Sequence, residues 1–503
     1  MVAATPTSHG AVAGGSAPSV EGQATFHVGF RGKDAKRAAM NHLPSRVVRL
    51  LMVALVLATS AWQPAAAQQD SGPQVLRDTE TELLFKDMSR PLIQAAGLDP
   101  NSVQVVLLGD PEINAFVATG QTVYIQSGLL AATDNVDQLQ GVVAHELGHV
   151  VAGDAIRSSS GEKQATGISI LSLLLGAAAL AAGAGEAGMG IMMAGQRAAL
   201  GEMLAFTRAQ EATADASGAR FLSKAGISGK GMLDFFNKLQ NEEYRLAIYS
   251  TDSFDRDHPL SSERIQALQQ KLKADPAWNK PIDPQLEARF ERVKAKLMGY
   301  VDPKHAVIKY PESDQSIPAH YARAYAYHLG GYPQKAESEA NALLAIDPHD
   351  PFFLELKGQV LLEGGKPKEA LVPLREAVKG HDYPMISAML GHALVATEDP
   401  KNFAEAKQVL KTAVSRDNEN PFAWYQLGII YDREGDVARA ALSTAERSNL
   451  EGDPKLALSS AQTAMKGIPT GTPDWLRAQD IAMVSRTELA KKDKRYRKDE
   501  NKP

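Results

Sequence analysis

The chain has 503 residues, with 54 Lys and Arg against 59 Asp and Glu, a net charge of −5 and no cysteine. Its length exceeds what one hydrophobic core organises, and 44% apolar with 22% charged residues describes a folded protein. The lack of Cys excludes disulfide scaffolds, thiol nucleophiles, Cys-type zinc sites and a lipoprotein anchor, and mild acidity gives no footprint for nucleic acid.

At the N-terminus, Arg46 and Arg49 precede an uncharged run, Leu50–Ala61, and then Ala65-Ala66-Ala67. A basic flank, a short apolar core and a small-residue end predict a cleavable signal peptide within residues 1–67. The run is short for a membrane span, although an uncleaved anchor is the alternative. Met40 reads as the true start, with residues 1–39 an upstream addition. Removing 1–67 leaves 436 residues, 48 basic against 57 acidic, a net charge of −9.

Arg77–Ala96 has amphipathic helical spacing and a stop at Gly97. Ser102–Leu108 reads as a strand, and Asn114–Val117 with Thr122–Ile125 as a hairpin. Asp134 or Asn135 can cap a helix that runs through Val142–Val151 to about Ile156. Gly167–Gly185 then carries no charge and is rich in Gly, Ala and Ser, with a second apolar piece at Met189–Gly195. We read residues 160–200 as an apolar flap, re-entrant or lying on a membrane surface. A buried Ala/Gly-rich helical hairpin is the alternative. Met203–Ala225 is helical by pattern. Residues 226–300 are helical with a break near His258-Pro259, and the Pro-containing stretch 301–318 reads as a linker.

The sharpest chemical signal is His145-Glu146-Leu147-Gly148-His149. Positions four apart share one helix face, so His145 and His149 can clamp a metal ion. Glu146, beside them, can take a proton from a water on that ion, as a general base for hydrolysis of a peptide carbonyl. The third ligand must come from downstream. Ala152 and Ala155 stand where a Gly-x-x-His extension would be, which excludes the metzincin pattern. Of Glu162, Glu186, Glu202 and Glu211, only Glu211 lies in a predicted helix with an acidic partner four residues on, Asp215. That pair can place one carboxylate on the metal and the other behind a ligand histidine. Asp215 as a solvated helix charge is the plainer alternative. Read alone, His258 before Pro259 is a satisfied turn residue.

From residue 319 to 490 small residues recur with a period of about 34. Tyr327, Gly331 and Ala336 open the series; Gly358, Gly365 and Ala370 follow, then Gly391, Ala406 and Ala413, and finally Trp424, Gly428, Gly435 and Ala440. The pattern resembles the tetratricopeptide repeat, helix–turn–helix units that stack into an α-solenoid. The charged run 491–503 reads as a disordered tail.

The first half resembles the gluzincin metallopeptidases related to the CAAX prenyl protease and the heat-shock membrane protease HtpX. The matching residues are Asn114-Ala115-Phe116, His145/Glu146/His149, Glu211/Asp215, and His258-Pro259 with Arg264, over roughly residues 76–275. The chain departs from the family at Thr213, often a second Glu there. The resemblance implies a mostly α fold: a zinc metalloprotease domain over residues 68–300, helical with a small β-sheet, followed by the repeat solenoid. It implies one zinc ion on His145, His149 and Glu211, with Glu146 as general base. His258 and Arg264 would lie over the metal, Arg264 stabilising an oxyanion and His258 either assisting or blocking the open position. Asn114, Ala115 and Phe116 would form an edge strand for substrate.

Signal peptide, protease and repeats in that order resemble periplasmic members of this group. The implied activity is an endopeptidase acting on misfolded or stalled outer-membrane barrel proteins. Its repeats would dock on the barrel assembly machinery, with peripheral membrane contact and no nucleic acid. Two other classes stay open. One is a repeat-based chaperone or scaffold with a latent protease; the other is an integral inner-membrane metalloprotease spanning with the Leu50 and Ile168 segments.

Overall fold

The computed structural model describes residues 2–3, 74–118, 121–154, 169, 171–173, 175, 185–246, 258 and 260–500. The signal-peptide run, the proposed start at Met40 and nearly all of the uncharged segment 167–185 lie outside these residues. Among the described residues no helix is long and apolar enough to cross a membrane.

A small sheet comes first: β1 (Val2–Ala3), β2 (Gln74–Arg77), β3 (Gln104–Gly109), β4 (Ala115–Val117) and β5 (Thr122–Gln126). The order is β1-β2-β3-β5-β4, with β3 and β5 parallel and the other pairs antiparallel. Leu107, Ala115, Val123 and Ile125 turn one face into the core, 0–2% exposed. Strand β2 ends at Arg77, the residue expected to open the following helix, because Asp78 caps α1 (Thr79–Ala95) through the Thr81 amide.

Helix α2 (Ser127–Ala132) leads into α3 (Val136–Ala152), capped by Asn135 and ended by Gly153 at φ +70°. Every residue of α3 from Val136 to His149 is buried, so the helix is the axis of the domain. Against it lies α4 (Gly185–Ala225), 41 residues long. The piece Met189–Gly195, expected within the flap, is the N-terminal part of this helix: no Pro or turn signal separates it from the pattern that follows. α5 (Lys230–Leu246), α6 (Ser262–Lys273) and α7 (Pro284–Val301) complete this half.

The stretch expected to be a linker contains α8 (Pro303–Lys309) and the start of α9 (Ile317–Leu329). Two of its three prolines are helix starters rather than breakers: Pro303 and Pro318 occupy first-turn positions, where the missing N–H costs nothing. Helices α9 and α10 (Pro333–Ile346), α11 (Pro351–Glu363) and α12 (Pro367–Ala377), α13 (Pro384–Ala396) and α14 (Phe403–Arg416), α15 (Pro421–Arg433) and α16 (Val437–Leu450), and α17 (Pro454–Gly467) and α18 (Pro473–Glu500) form successive hairpins, an α-solenoid. The recurrent glycines have two jobs. Gly331, Gly365 and Gly435 take φ +76° to +79° at the turns. Gly358 and Gly391 sit where a Cβ would lie 2.4–2.5 Å from Leu374 and Leu410 of the partner helix. Residues 491–500 continue α18 as helix instead of a disordered tail. Lys, Arg and Glu are good helix formers, and Lys491 pairs with Glu488 one turn back at 2.8 Å.

One core joins the two halves. It runs from Leu76 and Leu84 through Val142 and Phe290 to Tyr321, Phe353 and Val360. Within it lies a charge network. Lys296 (1% exposed) reaches Asp78 at 2.6 Å and Glu80 at 3.4 Å, and the Tyr321 hydroxyl donates to Glu80 at 2.9 Å. Arg292 bridges Glu80 and Asp350 at 2.8 and 2.9 Å. Burial alone would discharge Lys296, but the neighbouring carboxylate of Asp78 holds its pKa well above the usual value. Removing one partner from a buried pair strands the other charge. Lys296→Ala is therefore expected to cost about 3–5 kcal/mol in denaturant unfolding of the full chain. Removal of the exposed Arg375–Glu405 pair by Arg375→Ala should cost under about 1 kcal/mol.

Candidate metal centre

The site is built where α3 and α4 cross. Gly148 faces Ala214, and a Cβ on it would lie 2.7 Å from the Ala214 Cα; Gly218 faces Ala144, with the same test giving 3.1 Å. Two small-residue contacts thus bring the helix backbones close enough for Glu211, on α4, to meet His145 and His149 on α3. Phe236 of α5 packs edge-on against the His145 ring at 5.6 Å.

Four donors converge. His145 Nε2 is 3.2 Å from His149 Nε2, 3.3 Å from His258 Nδ1 and 3.4 Å from Glu211 Oε2. Glu211 Oε1 is 3.4 Å from His149 Nε2 and 3.2 Å from His258 Nδ1. A tetrahedron with metal–nitrogen bonds of about 2.0–2.1 Å has edges of about 3.3–3.4 Å, so the spacing suits one zinc ion. All four side chains are buried. Beside them, both carboxylate oxygens of Glu146 are buried without a hydrogen-bond partner among the described residues. A carboxyl group in that place is within reach of the donor set, His258 Nε2 lying 3.6 Å from its Oε1.

A second ring of residues aims the ligands. His145 Nδ1 lies 3.0 Å from Asp215 Oδ1, and His149 Nδ1 lies 2.9 Å from Asp154 Oδ2. Asp215 is thus the carboxylate behind a ligand histidine and not a solvated charge. Arg264 differs from expectation. Its guanidinium binds Asp215 at 2.8 and 2.9 Å, Glu211 at 3.1 Å and the His258 carbonyl at 3.4 Å, so it holds the acidic residues of α4. Two carboxylates one helix turn apart would repel without that cation. His258 contributes Nδ1 to the donor set while its Nε2 lies 3.2 Å from the Ala115 carbonyl oxygen. Asn114 is buried, Ala115 and Phe116 begin the edge strand β4, and Phe116 stacks on Tyr124 at 5.3 Å. Thr213 is exposed and turned from the cluster, its hydroxyl bonded to the Ala209 carbonyl at 2.8 Å.

Sequence reasoning missed Asp154 and the Ala115 carbonyl. An acidic residue one past the helix-ending Gly153 is the only signal for the first; a backbone oxygen leaves none.

Burial disfavours the imidazolium of His149, yet hydrogen bonds to Asp154 and Glu211 outweigh it and raise its pKa to about 10. His145 is raised likewise by Asp215 and Glu211 against its burial. Burial pushes Glu211 and Asp215 up, and their histidine partners, with Arg264 beside Asp215, hold both below the carboxylate range.

Residues 80–272 match peptidase family M48. The beta-barrel assembly-enhancing protease of Escherichia coli K12 is 26% identical over 377 residues, covering 72% of this chain and 74% of that protein. Metalloprotease LoiP of the same strain is 33% identical over 171 residues, covering 33% of this chain and 60% of its own length. The crystal structure of the TPR protein YrrB covers 36% of this chain and 94% of its own, at 20% identity and a TM-score of 0.28. Fold and donor set define a metalloprotease. The segment matching that family, residues 80–272, holds all four donors, and the helical repeats follow it.

Two outcomes test the centre. Because metal-free His149 keeps a proton up to about pH 10, zinc must displace it at neutral pH. Affinity should fall about tenfold per displaced proton for each pH unit below 8 in competitive chelator titrations. Affinity unchanged from pH 8 to 6 contradicts the assignment. Asp154→Ala, which unseats His149, should weaken zinc binding about 10- to 100-fold with the fold intact by circular dichroism.

Proposed function

We propose that the chain is a zinc endopeptidase of the periplasm that removes misfolded or stalled outer-membrane barrel proteins, with its repeats recruiting partners of the assembly machinery. The observation that carries the hydrolytic part is the buried donor set of His145, His149, Glu211 and His258 with the buried Glu146 carboxylate beside it, its Oε1 3.6 Å from His258 Nε2. His145, His149 and Glu211 would hold zinc, which when bound polarises a water and the scissile carbonyl. Glu146 accepts the water's proton and returns it to the leaving amine. Asp215 and Asp154 fix the histidine rings, and Arg264 acts as a positioning residue on Glu211 and Asp215. An extended substrate adds along β4 at Asn114, Ala115 and Phe116 by backbone hydrogen bonds. The substrate class is supported by the Escherichia coli relative, whose name describes enhancement of β-barrel assembly. The location is supported by the signal-like run within residues 1–67.

A second reading, a repeat scaffold whose protease is latent, has its own observation. With His258 Nδ1 among the donors, four protein ligands close the centre, whereas a working site keeps one position open. Opening therefore requires His258 to leave.

Glu146→Gln is expected to abolish cleavage of an unfolded substrate such as casein while retaining one zinc per chain. Retained cleavage sinks the mechanism. His258→Ala should keep its zinc and, where closure limits the rate, cleave casein several-fold faster than the parent chain; a slower variant assigns His258 an assisting role instead.

A further inference from the structure

A cleft of about 650 Å³ opens on the far side of the sheet from β4, between the protease and the repeats. Val103 and the next four residues, Gln104 to Leu107 of β3, line it consecutively. Side chains on a strand's face would contribute alternate positions, as Thr122 and Tyr124 of β5 do here. A consecutive run means that the cleft follows the strand's backbone edge.

That edge is open. Strand β2 pairs with Leu108 and Gly109 at the end of β3, and among the described residues no strand pairs with Gln104–Val106 on that side. On the other side, the Gln104 amide donates to the Gln121 carbonyl at 3.2 Å, so even-numbered residues bond towards β5. The N–H and C=O of Val105 then point away from β5, into the cleft. An unpaired strand edge is a template for an added strand.

The walls supply charge. Lys86 and Arg90, one turn apart on α1, are exposed and carry no ion pair among the described residues. The cation beside them, Arg77, is spent on Glu82 at 2.5 Å and Asp417 at 3.1 Å. Two uncompensated cations in one cleft stand out in an acidic chain. The opposite wall, Arg416–Glu419, is the turn between α14 and α15, and the Arg77–Asp417 pair fixes it over the sheet. Its unpaired acid, Glu419, belongs to the repeat side.

We infer that this cleft is a second peptide site: an extended, acidic segment of an unfolded substrate adds to the edge of β3, with its carboxylates on Lys86 and Arg90. The inference rests on the endopeptidase reading and adds a holding site to the cutting site. Three strands separate β3's outer edge from β4's, and neighbouring strands lie about 4.8 Å apart. One unfolded chain can therefore span both edges, so the site favours long acidic substrates over short ones.

The test uses full-length chains. A fluorescent 15-residue peptide alternating Val and Glu, and its Val/Gln counterpart, are titrated by anisotropy into the Glu146→Gln chain. Binding of the acidic peptide should exceed that of the neutral one and weaken at least tenfold when Lys86→Glu and Arg90→Glu are added. Val105→Pro, which deletes one edge N–H at a position an edge strand tolerates, should weaken it at least fivefold. In the active chain the charge-reversed pair should raise KM for β-casein with kcat unchanged. Turnover of a six-residue peptide should stay the same. Equal binding of the two peptides, or an acidic peptide indifferent to the charge reversal, overturns the site. The binding arm needs no catalysis, so loss of the endopeptidase reading would leave it readable. The exposed Lys86/Arg90 pair keeps the test informative even where Val105→Pro fails to fold.

Discussion

The close crossing of α3 and α4 is the constraint on which the metal centre depends. Two glycines, Gly148 on one helix and Gly218 on the other, each sit against an alanine of the opposite helix. Added side chains there would push the backbones apart by more than the few tenths of an ångström that a donor shell tolerates. Glu211 would then fall short of the histidines. The same crossing places Asp215 behind His145, since four residues on α4 advance one turn along the shared face. Arg264 then becomes necessary, because two carboxylates this near each other in a dry interior need a cation between them. A backbone distance set by absent methyl groups thus dictates both the ligands and the ion pairs that surround them.

His258 ties this centre to the sheet. One ring nitrogen stands in the donor set and the other meets the carbonyl of Ala115, at the head of β4. The two contacts are made together or broken together by one ring. When the imidazole leaves, a coordination position and the first backbone acceptor of the edge strand are released in one movement. In the proposed mechanism a substrate strand added along β4 would need both, and would compete with His258 at two points at once. Glu146, whose Oε1 lies 3.6 Å from His258 Nε2, borders the same ring.

Much of the architecture was legible in the residues. The His145–His149 spacing, the Glu211–Asp215 step and the periodic glycines of the solenoid are local patterns whose physics is local, namely helix faces and tight turns. The failures have a common cause. Pro303 and Pro318 read as a linker because proline breaks a helix from inside but starts one from its first turn, and sequence alone does not say which. Arg264 read as an oxyanion partner because family resemblance gives proximity without direction; its carboxylate partners sit on α4. Asp154 and the Ala115 carbonyl were invisible because tertiary packing alone brings them to the histidines. The β2–α1 boundary failed for a subtler reason: Leu76 continues the apolar stripe of α1, and only the cap at Asp78 separates the two.

The join between the halves bears on how the molecule is built. Tyr321 and Phe353 of the first repeats belong to the same core as α1 and α7. The carboxylates of Asp78 and Glu80 lie at the N-terminus of α1, where the helix dipole favours them, and Lys296 and Arg292 of α7 neutralise them from below. Asp350, at the cap of α11, takes the second arm of Arg292. The cap of a protease helix, the cations of the connecting helix and the cap of a repeat helix therefore share one set of charges. Pulling the repeats away would leave buried ions unpaired on both sides. α1 in turn supports α3 through the bond from Gln140 to the Met88 carbonyl. The charges at the join are thus continuous, through α1, with the helix carrying His145 and His149.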